Sequence, residues 1–386
     1  MLKVILLEKT GKLLSKVKVS GGGRCNVTHN CTSVAELLKN YPRGHAFLKK
    51  SFHHFAATDT VNWFAERGVK LKTEADGRMF PITDSSQTII DCLLKEANEK
   101  KIEILMQSTV EEVLSFGNRF EIMLSGGRKI TADKVCLACG GLSHSNKFDW
   151  LNKLGHKIVS PLPSLFTFNL PGDTITQLMG VTLSEVQVKI AGTKLEQKGP
   201  LLITHWGMSG PAILKLSAWG ARTLADMNYQ ATLLVNWLPL YHENSLREEL
   251  QKIRFSIATQ KIGNRNPLSL PSRLWEYLLV KAGINPEIRW ADLPAKEQNA
   301  LAKLVTSQQF QLKGKTTFKE EFVTAGGIDL SEVNPHTMES RIVPGLYFAG
   351  EILDVDGVTG GFNFQNAWTT GYLAAHHIAG SEKVQP

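Results

Sequence analysis

Residues 20–26 run Ser20, Gly21, Gly22, Gly23, Arg24, Cys25, Asn26, so three bare backbone amides stand beside a cation, a thiol and a carboxamide. Three glycines in a row give up backbone entropy and side-chain packing, which suits a backbone forced into unusual dihedrals or held against a ligand. A row of unencumbered N–H groups can form an anion-binding concavity. Arg24 adds a forked cation suited to phosphate, and Asn26 adds both a donor and an acceptor. The plainer alternative is a tight surface turn with incidental neighbours.

Two further glycine loops have related chemistry. ACGGLSHS (138–145) places Gly140 and Gly141 at a strand exit, a weak indication alone because any sharp exit can use Gly-Gly. GEILDVDGVTGGFNFQNAW (350–368) is more specific: a strand end with Gly350 and Glu351, then Gly360, Gly361, Phe362 and Asn363 opening a helix. The amino terminus of a helix favours negative charge on a ring or phosphate. Its alternative is a simple strand–loop–helix connection. Glu8, ending the first strand, stands where dinucleotide-binding folds place the acid that bonds a ribose. Three such exits in one α/β unit would converge at the carboxyl edge of its sheet.

Other reactive residues carry less. Cys136 and Cys139 form C-x-x-C, but no second Cys or His pair accompanies them, and they read as core cysteines. Cys25 is different: Arg24 beside it could stabilise a thiolate, although packing against a cofactor suits it better. His205 in THWGMSGP is a weak candidate for a catalytic acid, with a hydrogen-bonded turn histidine as the alternative. The adjacent pairs His53–His54 and His376–His377 point apart on helices, so no metal site is expected.

The elements that must position these residues follow from periodicity. KVILLEK (3–9) reads as a buried parallel strand. HAFLKKSFHHFAATDTVNWFAERG (45–68) reads as one helix closing on Gly68, and SSQTIIDCLLKEANEKK (85–101) as another. KIEILMQSTVEEVLSF, RFEIMLS and KITADKVCLACGG read as strands. From about residue 165, FTFNL, VQVKIAG, GPLLITHWG and QATLLVNWLPLY are short strands suited to a small β-barrel or sandwich. Residues 243–306 have helical spacing, and residues 345–380 return to a strand and a closing helix.

The expected fold class is therefore α/β: a split, two-part Rossmann-like domain (1–165 and 324–386), an inserted β-barrel domain (166–242, returning at 307–323) and a small helical insert (243–306). Composition agrees with a globular chain: 386 residues, 42% hydrophobic, with 44 Lys and Arg against 36 Asp and Glu. The basic excess is spread thinly, which suits an anionic cofactor or substrate better than nucleic acid. Basic residues of the helical insert alternate with acids and lack an aromatic platform, so a nucleic-acid partner is not expected. No apolar stretch approaches a transmembrane span, the amino terminus is unlike a secretory signal, and five scattered cysteines suit a reducing compartment. A cytoplasmic protein is expected; the oligomeric state is not readable.

LLEKTGKLLSKVKVSGGGRCNVT, WFAERGVKLKTEADGRMFP, THWGMSGPAIL and VTAGGIDLSEVNPHTMESRIVPGLYFAGEILDVDGVTGGFNFQNAW together resemble the YhiN/HI0933-like family of flavoproteins, in order and over almost the whole chain. The resemblance implies an FAD-dependent oxidoreductase, with NAD(P)H as a possible electron donor and a small organic molecule as substrate. Activities in the wider group include aminoacetone oxidation and bile-acid double-bond reduction. It would put Glu8 on the adenosine ribose, residues 20–26 along the pyrophosphate and flavin, and the Val110 backbone against the adenine. Gly350 and Glu351 would face the ribityl-phosphate region, and Gly360, Gly361, Phe362 and Asn363 the pyrimidine half of the isoalloxazine.

Two departures matter. The family begins with a strand and a GxGxxG-type turn about one β–α unit before LLEK, which is absent here, so a missing start is expected. The alternative is a chain without tight FAD binding that acts as a non-catalytic binding protein. The loop after ACGG also differs from the family's longer Thr/Gly/Ser-rich one, which removes support for Ser143, His144 and Ser145.

Overall fold

The β-branched run near the start forms the strand Ile5–Leu7, paired in parallel with Glu103–Leu105. It is only half buried, with Val4 and Leu6 exposed, so the buried strand expected there is corrected to a partly covered one. A second parallel pair joins Val135–Leu137 to Leu346–Phe348, bringing the exits that carry Gly140–Gly141 and Gly350–Glu351 side by side. The computed structural model describes residues 2–142, 149–316 and 323–380; Ser143, His144 and Ser145 lie outside them. Two units are resolved by their internal packing, residues 1–164 with 319–386 and residues 165–318.

In the first unit the expected helix over 45–68 is two helices, His45–Phe52 and Ala57–Glu66. The break has a local cause: the Asp59 carboxylate accepts from the Ala56 N–H at 2.7 Å, so a new amino terminus starts there. Ser86–Glu99 is a single helix, capped where the Ser85 hydroxyl accepts from Gln87 N. Its apolar face carries Ile89 and Ile90 into a core with Val17, Cys25, Val27, Phe64 and Val69. Two three-stranded antiparallel sheets complete the unit's frame; one orders Thr28–His29, Arg78–Pro81 and Leu71–Thr73, the other Val110–Phe116, Arg119–Leu124 and Lys129–Ala132.

The second unit is built on a seven-stranded antiparallel sheet. Its two outermost strands, Gln308–Lys313 and Lys315–Thr316, are consecutive in the chain and separated only by Gly314, at φ +89°. Two edges of one sheet can be joined by a single residue only if the sheet curls round on itself, so the unit has a barrel-like form. Trp237, Trp275, Trp290 and Phe310 fill its interior, with the helices Glu243–Ser256, Ser272–Lys281 and Ala295–Ser307 contributing to the same core.

Candidate cofactor site

The glycine run takes the unusual dihedrals its composition demands. The helix Ser15–Gly23 loses helical geometry at Ser20, and Gly21, Gly22 and Gly23 follow at φ +56°, +69° and +83°. A Cβ on Gly21 would stand 2.9 Å from the Phe80 ring and 3.0 Å from Asn26 N, so a close approach excludes any side chain there. Gly22 and Gly23 are the opposite: they are exposed and nothing lies within 4 Å of where a Cβ would be. Their left-handed backbone presents amides to open space, as an anion cradle does.

Asn26 ties this run to the third loop. With its carboxamide oriented to suit its neighbours, it donates to Thr28 O and accepts from Gly361 N, both at 3.0 Å. Gly361 sits at φ +93°, where a Cβ would meet Thr28 O at 2.6 Å. Asn363 closes a two-bond ring with the Gly357 backbone at 2.8 and 2.9 Å, and the Phe362 carbonyl accepts from the Tyr41 hydroxyl at 2.7 Å. The helix Phe362–Ile378 is thus aimed by residues on both sides of its first turn.

Along its buried face that helix is polar. Gln365 Oε1 accepts from Thr28 Oγ1 at 2.6 Å and from Thr60 Oγ1 at 3.0 Å, while Gln365 Nε2 donates to Thr369 Oγ1 at 3.0 Å. The loop before the helix is held by Asp356, fully buried and gripped by two bonds from Arg43 and one of 2.7 Å from Ser164. Burial pushes the Asp356 carboxyl above its usual range, against Arg43 and Ser164, which favour its charge.

The second loop meets the strand exit beside it at Glu351. Glu351 accepts from Thr324 N at 2.8 Å and pairs with Lys16 at 2.7 Å. A Cβ on Gly141 would fall 2.4 Å from Thr324 Oγ1 and 2.7 Å from Glu351 Oε1; Gly140, at φ +75°, lies alongside. Thr324 Oγ1 is buried without a partner. Glu8 and Val110 also come close in the chain's path, because Glu8 O accepts from Ser108 N at 2.9 Å. The Glu8 carboxylate is turned onto Thr10, whose N–H and hydroxyl donate at 2.7 and 2.8 Å.

Three expectations need correction. Arg24 does not stand free beside the amides: it bonds Glu74 at 2.6 Å, lies 3.5 Å from Asp84 and stacks 4.0 Å over Phe80. The Glu74 bond holds its guanidinium above the usual value. Cys25 is buried at φ +61°, and burial pushes its thiol up to about 11, which removes the stabilised thiolate. Cys136 and Cys139 are exposed rather than core residues. His205 lies in the second unit at an exposed turn between Glu196–Thr204 and Gly207–Ser209, edge-on to Trp206 at 4.3 Å. Lys16, Thr324, Arg43 and Asp356 escaped sequence reasoning because their partners are distant in the chain.

Left-handed amides open to a ligand, an unpartnered buried hydroxyl at a glycine approach and a long helix aimed from its first turn fit a dinucleotide such as FAD. Among the described residues no group of three or more His, Cys, Asp or Glu could hold a metal ion, and no helix is long and apolar enough to cross a membrane. An α/β unit with these loops at its parallel strand exits defines the class, a Rossmann-type FAD-dependent oxidoreductase. The HI0933-like protein Rossmann domain matches residues 1–377, and the chain belongs to that family of flavoproteins.

Among curated relatives, a ribosomal RNA dihydrouridine synthase of Escherichia coli K12 is 30% identical over 386 residues, covering 97% of this chain and 92% of the relative. A 3-dehydro-bile acid delta(4,6)-reductase of Clostridium scindens is 26% identical, covering 98% and 93%. A ribosomal RNA dihydrouridine synthase of Haemophilus influenzae is 28% identical, covering 97% and 92%.

Proposed function

We propose that this protein is an FAD-dependent reductase that adds hydride to a ring carbon–carbon double bond conjugated with a carbonyl, and that uridine in ribosomal RNA is its substrate. The names of the three relatives support the chemistry, because they describe one bond type. The 5,6 double bond of uracil is conjugated with a carbonyl, as is a 3-oxo-Δ4,6 ring system. Bound in the site, FAD supplies the hydride, and NAD(P)H is the proposed source of its electrons.

The chain's own residues hold and orient. Gly22 and Gly23 offer amides to the pyrophosphate, with Ser20, Gly21 and Arg24 shaping that turn. Glu8 takes the ribose and the Val110 backbone the adenine. Gly140, Gly141, Gly350 and Glu351 receive the ribityl chain, where the Thr324 hydroxyl lacks a partner. Gly360, Gly361, Phe362 and Asn363 set the amino terminus of the closing helix, whose partial positive charge favours an electron-rich ring. Cys25 and Asn26 act from beneath, as packing and as a brace.

The observation that carries RNA as substrate is the division of charge. Residues 165–318 hold 17 Lys and Arg against 11 Asp and Glu, whereas the rest of the chain holds 27 against 25. An inserted unit that concentrates the basic excess suits a polyanion, which the thin spread along the sequence had argued against. A small enone is the second reading, favoured by the Clostridium scindens relative.

The test is direct. FAD-loaded protein, NADPH and ribosomal RNA are incubated, and digested nucleosides are weighed by mass spectrometry. A uridine heavier by two hydrogens, formed in a salt-sensitive reaction, is expected. RNA left unchanged while a 3-oxo-Δ4 steroid is reduced would overturn the RNA substrate in favour of the small enone.

A further inference from the structure

One cluster near the closing helix has no part in holding a cofactor. His29 ends the strand Thr28–His29, and its Nε2 lies 3.0 Å from the Asp76 carbonyl oxygen. A carbonyl can only accept, so Nε2 carries the proton and, in the neutral ring, Nδ1 is an acceptor. Nδ1 stands 3.3 Å from Cys31 Sγ, which places the thiol proton on the imidazole's lone pair.

The fold makes room for this imidazole at three places. A Cβ on Gly77 would fall 2.3 Å from the ring's Cε1 and 2.7 Å from Nε2. A Cβ on Gly360 would stand 3.5 Å from its Cδ2. The Phe362 ring stacks on it at 4.8 Å and 20°. Thus the side chain is seated between two glycines and the first residue of the helix that the site uses. Burial pushes the Cys31 thiol above its ordinary range and the nearby Glu36 charge raises it further, so at neutral pH it is a proton donor, not a nucleophile.

We propose that Cys31, positioned by His29, is the proton donor of the reduction. This rests on the function proposed above. Hydride adds to the ring carbon remote from the carbonyl, leaving an enolate. The Cys31 S–H bond breaks, a C–H bond forms at the carbon beside the carbonyl, and the thiolate takes its next proton from water. The substrate gains two electrons and two hydrogens, which balances the loss from the hydride source and the thiol. His29 is a positioning residue that holds the thiol in one orientation.

The titratable groups around the pair are Glu36 and the buried Tyr41 beside Cys31, and Asp76, whose carboxylate is bound to Arg78, beside His29. The test has two arms. In the first, FAD-loaded protein is reduced and mixed anaerobically with ribosomal RNA. Cys31→Ala should slow flavin reoxidation about 100-fold, the scale of general-acid catalysis, and abolish its solvent isotope effect. Flavin content and the rate of flavin reduction by NADPH should not change, and Cys31→Ser, nearly the same size, should behave as Cys31→Ala. Reoxidation within about twofold of wild type in both variants overturns the thiol's role.

The second arm needs no cofactor or substrate. The pH dependence of iodoacetamide alkylation at Cys31, mapped by peptide mass, should shift upward in His29→Ala. An unmoved midpoint overturns the pair. Wild-type protein that no RNA reoxidises, with the alkylation shift present, contradicts the function and the proton-donor role while leaving the pairing of the two residues standing.

Discussion

The two units bury different things. The inserted unit surrounds Trp237, Trp275, Trp290 and Phe310 with aliphatic side chains from the sheet and from three helices. The glycine-loop unit has a smaller apolar cluster and buries Thr28, Thr60, Gln365, Asn366, Thr369 and Asp356 close to its site. Apolar packing is undirected and accepts exchanges that keep volume. A buried polar network fixes geometry, because each member left without its partner retains its full desolvation cost. The comparison teaches that stability and positioning are divided between the units: one supplies a robust body, the other an aimed loop set.

The largest break should come at Asp356. Asp356→Ala leaves the Arg43 guanidinium without its buried partner, and a loss of about 3–5 kcal/mol is expected. Hydrogen exchange should show that loss in residues 1–164 and 323–380, with protection in the inserted unit unchanged. Equal loss of protection in both units would contradict the division.

A paired exchange sharpens it. Gln365→Met nearly keeps volume but strips Thr28, Thr60 and Thr369 of their partner, and should cost about 1–3 kcal/mol. Leu233→Met in the inserted unit also keeps volume and should cost less than about 1.5 kcal/mol. Urea denaturation followed peptide by peptide measures both.

Acid should act on the glycine-loop unit. His156 is buried between Glu332 and Ser340, each 3.0 Å away, and burial lowers its pKa while Glu332 opposes. Because the folded value lies below the unfolded one, near 6.5, the unfolded chain binds the proton first. This contribution is present above pH 6.5 and is lost as the pH falls below it, by at most about 1.4 kcal/mol per pH unit. Stability of the His156→Asn variant, measured by urea midpoint from pH 7 to 5, should fall less steeply. The smallest effect is expected at the partly exposed Arg24–Glu74 pair, where Glu74→Gln should cost less than about 1 kcal/mol by the same measurement.

What the sequence revealed was whatever depends on near neighbours. The left-handed run at Gly21, Gly22 and Gly23 was legible because three glycines have few other uses. The strands of the inserted unit and the closing helix were legible from periodicity. The break between Phe52 and Ala57 was not, because the apolar spacing continues through it and only the Asp59 cap decides it. Partners far apart in the chain were out of reach. Nothing local pairs Arg43 with Asp356, Lys16 with Glu351, or explains why residue 77 must be glycine until the His29 ring is seen against it. The same limit hid the commitments of Arg24 and Asn26, whose types were read correctly and whose partners were not.

The central claim is that the glycine loops of residues 20–26, 140–141 and 350–363 hold FAD, and the visible absorption spectrum tests it most directly. The purified 386-residue chain is mixed with FAD, desalted and scanned. A retained flavin spectrum close to one FAD per chain, lost in Gly361→Ala where a Cβ would meet Thr28 O at 2.6 Å, is the result expected. A colourless wild-type protein that cannot be reconstituted would contradict the account.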